Sequence, residues 1–338
     1  MDVERLTLEE WGDALPTSGV EPFHDPDALA VLENHTDAEL QLFGAYKGGQ
    51  AVGLLPVFVD EKPVGRTVLS PAPSLGVPRL GPIIDPISPK RRKRERINNR
   101  LAEAVIDATG ADRRSTLFRM NCPLSYDDPR PYVWNGLTVE PEFTYVVDLE
   151  GCDDVASAMS GFSKTLRNEM RRYDDVSLSI ETEGIDAAVR VYDDVVDQYE
   201  RHGDAAPLSR SVLRDLLSSL DDDRWRVYVA RTPDGSYESG IVTLFSTELA
   251  YYWQGGVTAT YENVSVNTLL HRAILEDLVT DPGLESVTAY DLVGANTERL
   301  CEYKGKFNGE LRPYYVIESA GLEMTVAKSA FKTLSGMK

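Results

Sequence analysis

Residues 40–59, LQLFGAYKGGQAVGLLPVFV, read as two strands folded back around the turn Lys47-Gly48-Gly49. Apolar residues fill both arms, and adjacent glycines supply the backbone conformations of a tight hairpin turn. The other half of the chain repeats the pattern: Trp225–Phe245, WRVYVARTPDGSYESGIVTLF, turns at Thr232-Pro233-Asp234-Gly235. Each second strand has a glycine near its start, Gly53 and Gly240. A helix and then a strand follow both hairpins. Helical periodicity covers Arg94 to Ala108 ahead of the strand Ser115–Met120, and Val266 to Val279 ahead of the strand Ser286–Leu292. Ile97 and Val266 are 169 residues apart, as are Leu101 and Leu270, whereas the paired glycines are 187 apart. The spacing predicts a duplicated hairpin–helix–strand unit. Strands outnumber crossover helices, so each half is expected to be an α+β domain with a mixed, mostly antiparallel sheet flanked by helices.

The length of 338 residues suits two such domains, placed at 1–150 and 151–320 with a tail at 321–338. A formal charge of −20 argues against general coating of nucleic acid. Asp (29) exceeds Glu (26), and Arg (25) far exceeds Lys (10), a surface chemistry expected of a salt-adapted (halophilic) protein. Cys122, Cys152 and Cys301 are odd in number and form no CxxC clip, which predicts a reducing, cytoplasmic setting. His24, His35, His202 and His271 lack ligand spacing, so no metal is expected. The longest apolar run, Ala51–Val59, is interrupted by Pro56 and falls short of the ~20 residues that span a bilayer, so no transmembrane segment is expected. No GxGxxG follows a strand and no GxxxxGK[ST] occurs, which leaves dinucleotide and P-loop folds unsupported.

Two basic clusters interrupt the acidic background. KRRKRERINNR, Lys90–Arg100, holds seven basic residues in eleven. The second lies on a linking helix expected between Asp153 and Tyr173, where Phe162, Leu166 and Met170 share one face, Lys164, Arg167, Arg171 and Arg172 the other, and Ser163 caps. Each cluster reads either as an anion site or as a solvated face paired with neighbouring acids. LAYYWQGG, Leu249–Gly256, is a strand ending in aromatics, with Tyr251 and Trp253 on one face and Tyr252 and Gln254 on the other. It suits either a cleft wall or ordinary core. Asn263 or Ser265 begins the next helix, whose first N–H groups, near Ser265 and Asn267, are placed to receive a phosphate or carbonyl oxygen of a donor. His271 on that helix reads as a satisfied, partly buried histidine rather than a base. In YDLVGANTERLCEYKGKFNGELRPYYVI (290–317), Asp291 ends a strand as a base, an orienter or a turn-former. Lys304 and Lys306, between Tyr303 and Phe307, form either a carboxylate, phosphate or carbonyl site or a basic helix end.

The order of GFSKTLRNEMRR, YYWQGG, SVNTLLHRAIL and YDLVGAN…YKGKFNG resembles the FemABX-like branch of the GCN5-related N-acetyltransferase (GNAT) superfamily. Ser163, Lys164, Arg167 and Arg171 match its basic linking stretch, and Tyr303, Lys304 and Phe307 its closing element, although Asn308 here precedes Gly309. The likeness is specific over residues 155–318 and looser over 25–120. It implies two tandem GNAT-like domains and acyl transfer to the amine of a small molecule or sugar or peptide precursor, with acyl-CoA as donor. A Fem-type aminoacyl-tRNA donor is the alternative, and a non-catalytic ligand-binding relative a third. The usual pyrophosphate loop is replaced by YENVSVN. By this analogy Lys304 contacts the acyl carbonyl or a terminal phosphate, Arg167 and Arg171 hold the acceptor's phosphates or carboxylate, and Asp291 or a tyrosine such as Tyr252 relays the proton. The acceptor is expected in a cleft between the domains, against Tyr252, Trp253 and Gln254.

Overall fold

The computed structural model describes residues 1–320 apart from Val64, so the tail expected at 321–338 lies outside the described residues. In chain order the elements are β1 (Asp2–Leu6), α1 (Leu8–Ala14), α2 (Pro26–Asn34), β2 (Glu39–Lys47), β3 (Gln50–Lys62), β4 (Gly65–Ser70), β5 (Ile83–Ile84), α3 (Arg91–Thr109), β6 (Thr116–Asn121), α4 (Arg130–Trp134) and β7 (Leu137–Asp148). There follow α5 (Val155–Ala158), α6 (Lys164–Met170), β8 (Ser179–Glu183), α7 (Ile185–His202), α8 (Arg210–Ser219), β9 (Trp225–Arg231), β10 (Tyr237–Phe245) and β11 (Leu249–Gly255). The described residues close with β12 (Thr260–Tyr261), β13 (Val264–Ser265), α9 (Val266–Thr280), β14 (Ala289–Asp291), α10 (Glu298–Lys304) and β15 (Glu310–Ser319).

Two compact units result. The first is Met1–Glu142 with the described residues from Pro313, and the second is Phe143–Arg312. In the first, strands run β1-β2-β3-β4-β6-β15, with β5 on β3. In the second they run β8-β9-β10-β11-β14, and β14 also pairs with the Val146–Asp148 end of β7. Within each unit the fourth and fifth strands are parallel, β4 with β6 and β11 with β14, and the other ladders are antiparallel. The helix preceding the fifth strand is α3 in one unit and α9 in the other. Both units are thus the mixed, mostly antiparallel α+β sheet expected of tandem GNAT-like domains, with matching strand order.

The hairpins lie where the glycines predicted them. Gly48 and Gly49 both have positive φ, 61° and 82°, the left-handed geometry of a two-residue hairpin turn. Gly53 and Gly240 serve helix packing: a Cβ at Gly53 would lie 3.2 Å from Ile97 of α3, and one at Gly240 would meet Val191 of α7 at 2.5 Å. The helix is therefore not the same one in the two halves. The longer connection from β4 into α3, and the basic turns that begin α3, account for the larger spacing of the hairpins.

The expected single linking helix is two short ones, α5 and α6. They separate around Gly161, where Ser163 donates its N–H to the Lys306 carbonyl at 2.8 Å and caps α6 by accepting from Leu166 N. Phe162, Leu166 and Met170 do enter the core of the second unit. α7 and α8, absent from the sequence reading, supply further buried leucines and valines. No helix among the described residues is long and apolar enough to cross a membrane.

Candidate functional site

In the second unit the two parallel strands part at their carboxyl ends. β11 and β14 pair at Leu249–Ala289, Ala250–Tyr290 and Tyr251–Asp291, and β14 ends there while β11 continues to Gly255. Ends of parallel strands where the ladder parts are common ligand positions. On its other edge β11 carries a bulge: Thr243 opposes Tyr252 and Val242 opposes Gln254, leaving Trp253 as the extra residue. That bulge breaks the alternation expected for Tyr251 to Gln254, and both Trp253 and Gln254 are buried.

Lys304 ends α10 and is only 5 % exposed. Its Nζ donates to the carbonyls of Val293 (2.7 Å) and Gly294 (2.9 Å) and sits 5.8 Å from the centre of the Tyr252 ring. Burial lowers its pKa to about 8, against the opposing pull of Asp291 and Cys301. The loop that offers those carbonyls is strained. Val293 is β-branched yet has φ 51°, followed by Gly294 at 86°. Its geometry is held by Asp291, whose Oδ1 accepts from Val293 N at 2.8 Å and from Thr144 Oγ1 at 2.6 Å, while Thr144 Oγ1 accepts from Gly294 N. Asp291 is fully buried and acts here as the turn-forming, positioning carboxylate.

Around this centre lies a ring cluster that the sequence reading treated piecemeal. His271 is fully buried, with ring centres 4.8 Å from Tyr252, 4.9 Å from Phe307 and 6.2 Å from Tyr303. Burial, with the Lys304 charge, lowers its pKa to about 3, so the imidazole is neutral. Nδ1 pairs with Tyr290 OH at 2.9 Å, but Nε2 is buried without a partner among the described residues, as is Tyr303 OH. Tyr252 is pushed up to about 12 by burial, despite its hydrogen bond with Asn267, and keeps its phenolic proton at neutral pH. Gly255 makes room for it, since a Cβ there would overlap the Tyr252 hydroxyl. The sequence reads His271 as partly buried and satisfied; the fold buries it fully, leaves Nε2 without a partner among the described residues, and shows which rings surround it.

The remaining candidates disperse. Lys164 and Lys306 are exposed, so the two lysines of the closing element diverge. Arg167 and Arg171 line a different cavity. Ser265, rather than Asn263, caps α9, its hydroxyl accepting from Thr268 N; Asn263, with φ 62°, belongs to the β12–β13 turn. Asn267 is buried and accepts from Ser239 Oγ at 3.2 Å. In the first unit Arg91, Arg94 and Arg100 of the basic cluster pair with Glu95, Asp127 and Glu103.

Residues 160–305 match the acetyltransferase (GNAT) domain family. The crystal structure of FemX superposes with a TM-score of 0.65 at 11% identity, covering 93% of this chain and 97% of that one. The second unit therefore carries a GNAT-domain match, and the chain shares the fold of FemX. Other solved structures share this GNAT fold. One is the C-terminal (DUF2156) domain of a putative lysylphosphatidylglycerol synthetase from Agrobacterium fabrum, with TM-score 0.55, 14% identity, and 95% and 94% of the two chains covered. Another is a tandem GNAT protein of the clavulanic acid biosynthesis pathway, with TM-score 0.51, 13% identity, and 95% and 99% covered. No curated protein matches by sequence. At these identities the structures establish the fold alone, and the matched residues contain the Lys304 centre and its ring cluster except Thr144 and Phe307.

Proposed function

We propose that the second unit transfers an acyl group to an amine, with Lys304 holding the acyl carbonyl. The observation that carries this reading is a buried ammonium whose position is fixed by two main-chain carbonyls where β11 and β14 part. An ammonium has three N–H donors, and two are spoken for. The third is free for the carbonyl oxygen, which becomes negative as the amine's lone pair forms the C–N bond. A fixed donor in a water-poor site stabilises that oxyanion without reorganising. The protonated Tyr252 phenol supplies a proton to the departing group as the carbonyl re-forms and the old acyl bond breaks; the amine's own proton leaves to solvent. Asp291 and Thr144 are positioning residues: they set the Val293–Gly294 carbonyls that locate Lys304. Tyr303 and Phe307 form the ring wall beside the acyl group.

The acceptor follows as an amine of a small molecule or of a sugar or peptide precursor. Acyl-CoA is the donor that a GNAT domain implies. The start of α9 does not fit its pyrophosphate: Val266 N donates to the Ala259 carbonyl, Thr268 N to Ser265 Oγ, and residues 249–271 contain no Lys or Arg. With two of its first three N–H groups already bonded and no basic residue nearby, that helix end favours a second reading, an aminoacyl-tRNA donor, with Lys90–Arg100 following RNA phosphates. Two assays separate them: thiol release from acetyl-CoA over a panel of amino-sugar and peptide amines, and transfer of a labelled amino acid from aminoacyl-tRNA. Turnover in one, lost in Lys304→Met, supports the reading; unchanged turnover in that variant removes Lys304 from the scheme.

A further inference from the structure

The first unit carries a basic face that the Lys304 centre does not use. Lys90, Arg92, Lys93 and Arg96, at the start of α3, are exposed and have no acidic partner among the described residues, unlike Arg91, Arg94 and Arg100. α4 lies beside this stretch. Arg130 reaches from its first turn to Glu95 of α3 at 2.7 Å, and Asn98 of α3 donates to the Asp128 carbonyl at 2.6 Å. The Arg130 guanidinium also sits 5.7 Å from the centre of the Trp134 ring, which places that indole next to the cations of α3. Tyr132 turns into the core and stacks on Phe118, while its neighbours Val133 and Trp134 are 51% and 64% exposed. Ile87, three residues ahead of Lys90, is 55% exposed. Single exposed apolar residues are ordinary, but adjacent ones beside unpaired cations mark a contact surface.

Three occupants differ in how they would use this face. A second copy meeting it in a two-fold contact would set the four free cations against their own copies. RNA would pair with the cations but leave Val133 and Ile87 in water, since bases stack on rings rather than on aliphatic side chains. An anionic lipid surface uses both kinds of residue. Headgroup phosphates take the Lys and Arg side chains, and the indole and aliphatic groups enter the boundary between headgroups and acyl chains, where tryptophan is favoured. The chain's charge of −20 leaves the acidic surface elsewhere repelled by an anionic plane, which orients the molecule with its basic face down. We propose that α3 and α4 form a peripheral docking face for an anionic lipid membrane. Val133 and Trp134 are the inserted residues, and Lys90, Arg92, Lys93 and Arg96 bind the headgroups. The assignment gives the α3 cluster to lipid rather than to RNA, and it does not depend on acyl transfer.

Co-sedimentation of the full chain with vesicles, at the lowest KCl that keeps it folded, tests the proposal. Binding is expected to vesicles of phosphatidylglycerol and phosphatidylcholine in equal parts, and is expected to be lost on phosphatidylcholine alone. Trp134→Ala should weaken it roughly tenfold through lost apolar burial. The double variant Arg92→Glu/Arg96→Glu should weaken it by at least about tenfold through reversed charge. All three side chains are exposed, so the unfolding midpoint should not move. Phosphatidylglycerol brominated on its acyl chains should quench tryptophan emission, and Trp134→Phe should remove most of that quenching, because Trp11 and Trp253 are buried. Absence of vesicle binding, equal binding to phosphatidylcholine alone, or binding indifferent to these variants would overturn the proposal. So would tRNA retention or dimerisation that depends on these residues while vesicles are ignored; the first gives the face to RNA and the second to another copy of the chain.

Discussion

At the scale of single residues, the chemistry proposed here turns on the charge of Lys304. Its pKa of about 8 lies below the usual lysine value, so the ammonium is present below pH 8 and lost above it. If the ammonium is the working form, rate falls as pH rises through about 8. Lys304→Met should lower turnover by about 10²-fold, the order associated with removing one oxyanion donor, and should abolish that descending limb. Lys304→Arg, which remains charged, should move the limb upward. A pH–rate profile of the three proteins checks the expectation, and a purely structural lysine would not move the limb. His271 makes a separate prediction. A group with a depressed folded pKa contributes stability that is present above its unfolded value of 6.5 and lost as pH falls toward about 3. The unfolding midpoint in urea should therefore fall on acidification below pH 6.5, and less steeply in His271→Phe. His24 in the first unit, buried and lowered to about 4, acts in the same direction and leaves a residual slope.

At the scale of elements, the two hairpin glycines differ in what they touch. A Cβ at Gly240 would meet Val191 at 2.5 Å and the Tyr228 carbonyl at 2.9 Å, and that main chain cannot yield without disturbing the β9–β10 ladder. At Gly53 the neighbours are the side-chain ends of Ile97 and Leu101 at 3.2 and 3.3 Å, which can shift. Gly240→Ala should cost about 1–3 kcal/mol and Gly53→Ala less, read from urea midpoints. The helices and hairpins were legible because their signals are short-range: paired glycines, a capping serine, apolar residues three and four apart. The break between α5 and α6 was not, because it depends on Ser163 bonding to Lys306 across a long stretch of chain. The bulge at Trp253 was hidden for a similar reason, since alternation within one strand is silent about the register of its neighbour.

At the scale of the whole molecule, the charge of −20 is an energetic term in its own right. Self-repulsion among 55 acids is screened by salt, so the thermal midpoint should climb as KCl is raised from dilute to molar. A scanning fluorimetry series measures this directly; a midpoint independent of salt would remove the case for salt adaptation. Each sheet also draws on distant chain. The first unit completes its strand order with β15, whose Val316 to Glu318 pair with β6, and the second includes part of β7 beside β14.

The sequence alone determined that the chain is built from a repeated hairpin–helix–strand unit, that the unit is α+β, and that Lys304 lies in a distinctive closing segment. Those properties follow from patterns within about twenty residues, where turn geometry and side-chain periodicity act locally. Tertiary structure alone decided that Thr144, Asp291 and the Val293–Gly294 carbonyls converge on Lys304, and that Arg272 rather than Tyr252 or Gln254 accompanies Arg167 and Arg171. The bond from Thr144 to Asp291 spans 147 residues. Strand pairing brings such partners together, and no local pattern encodes which strands will meet.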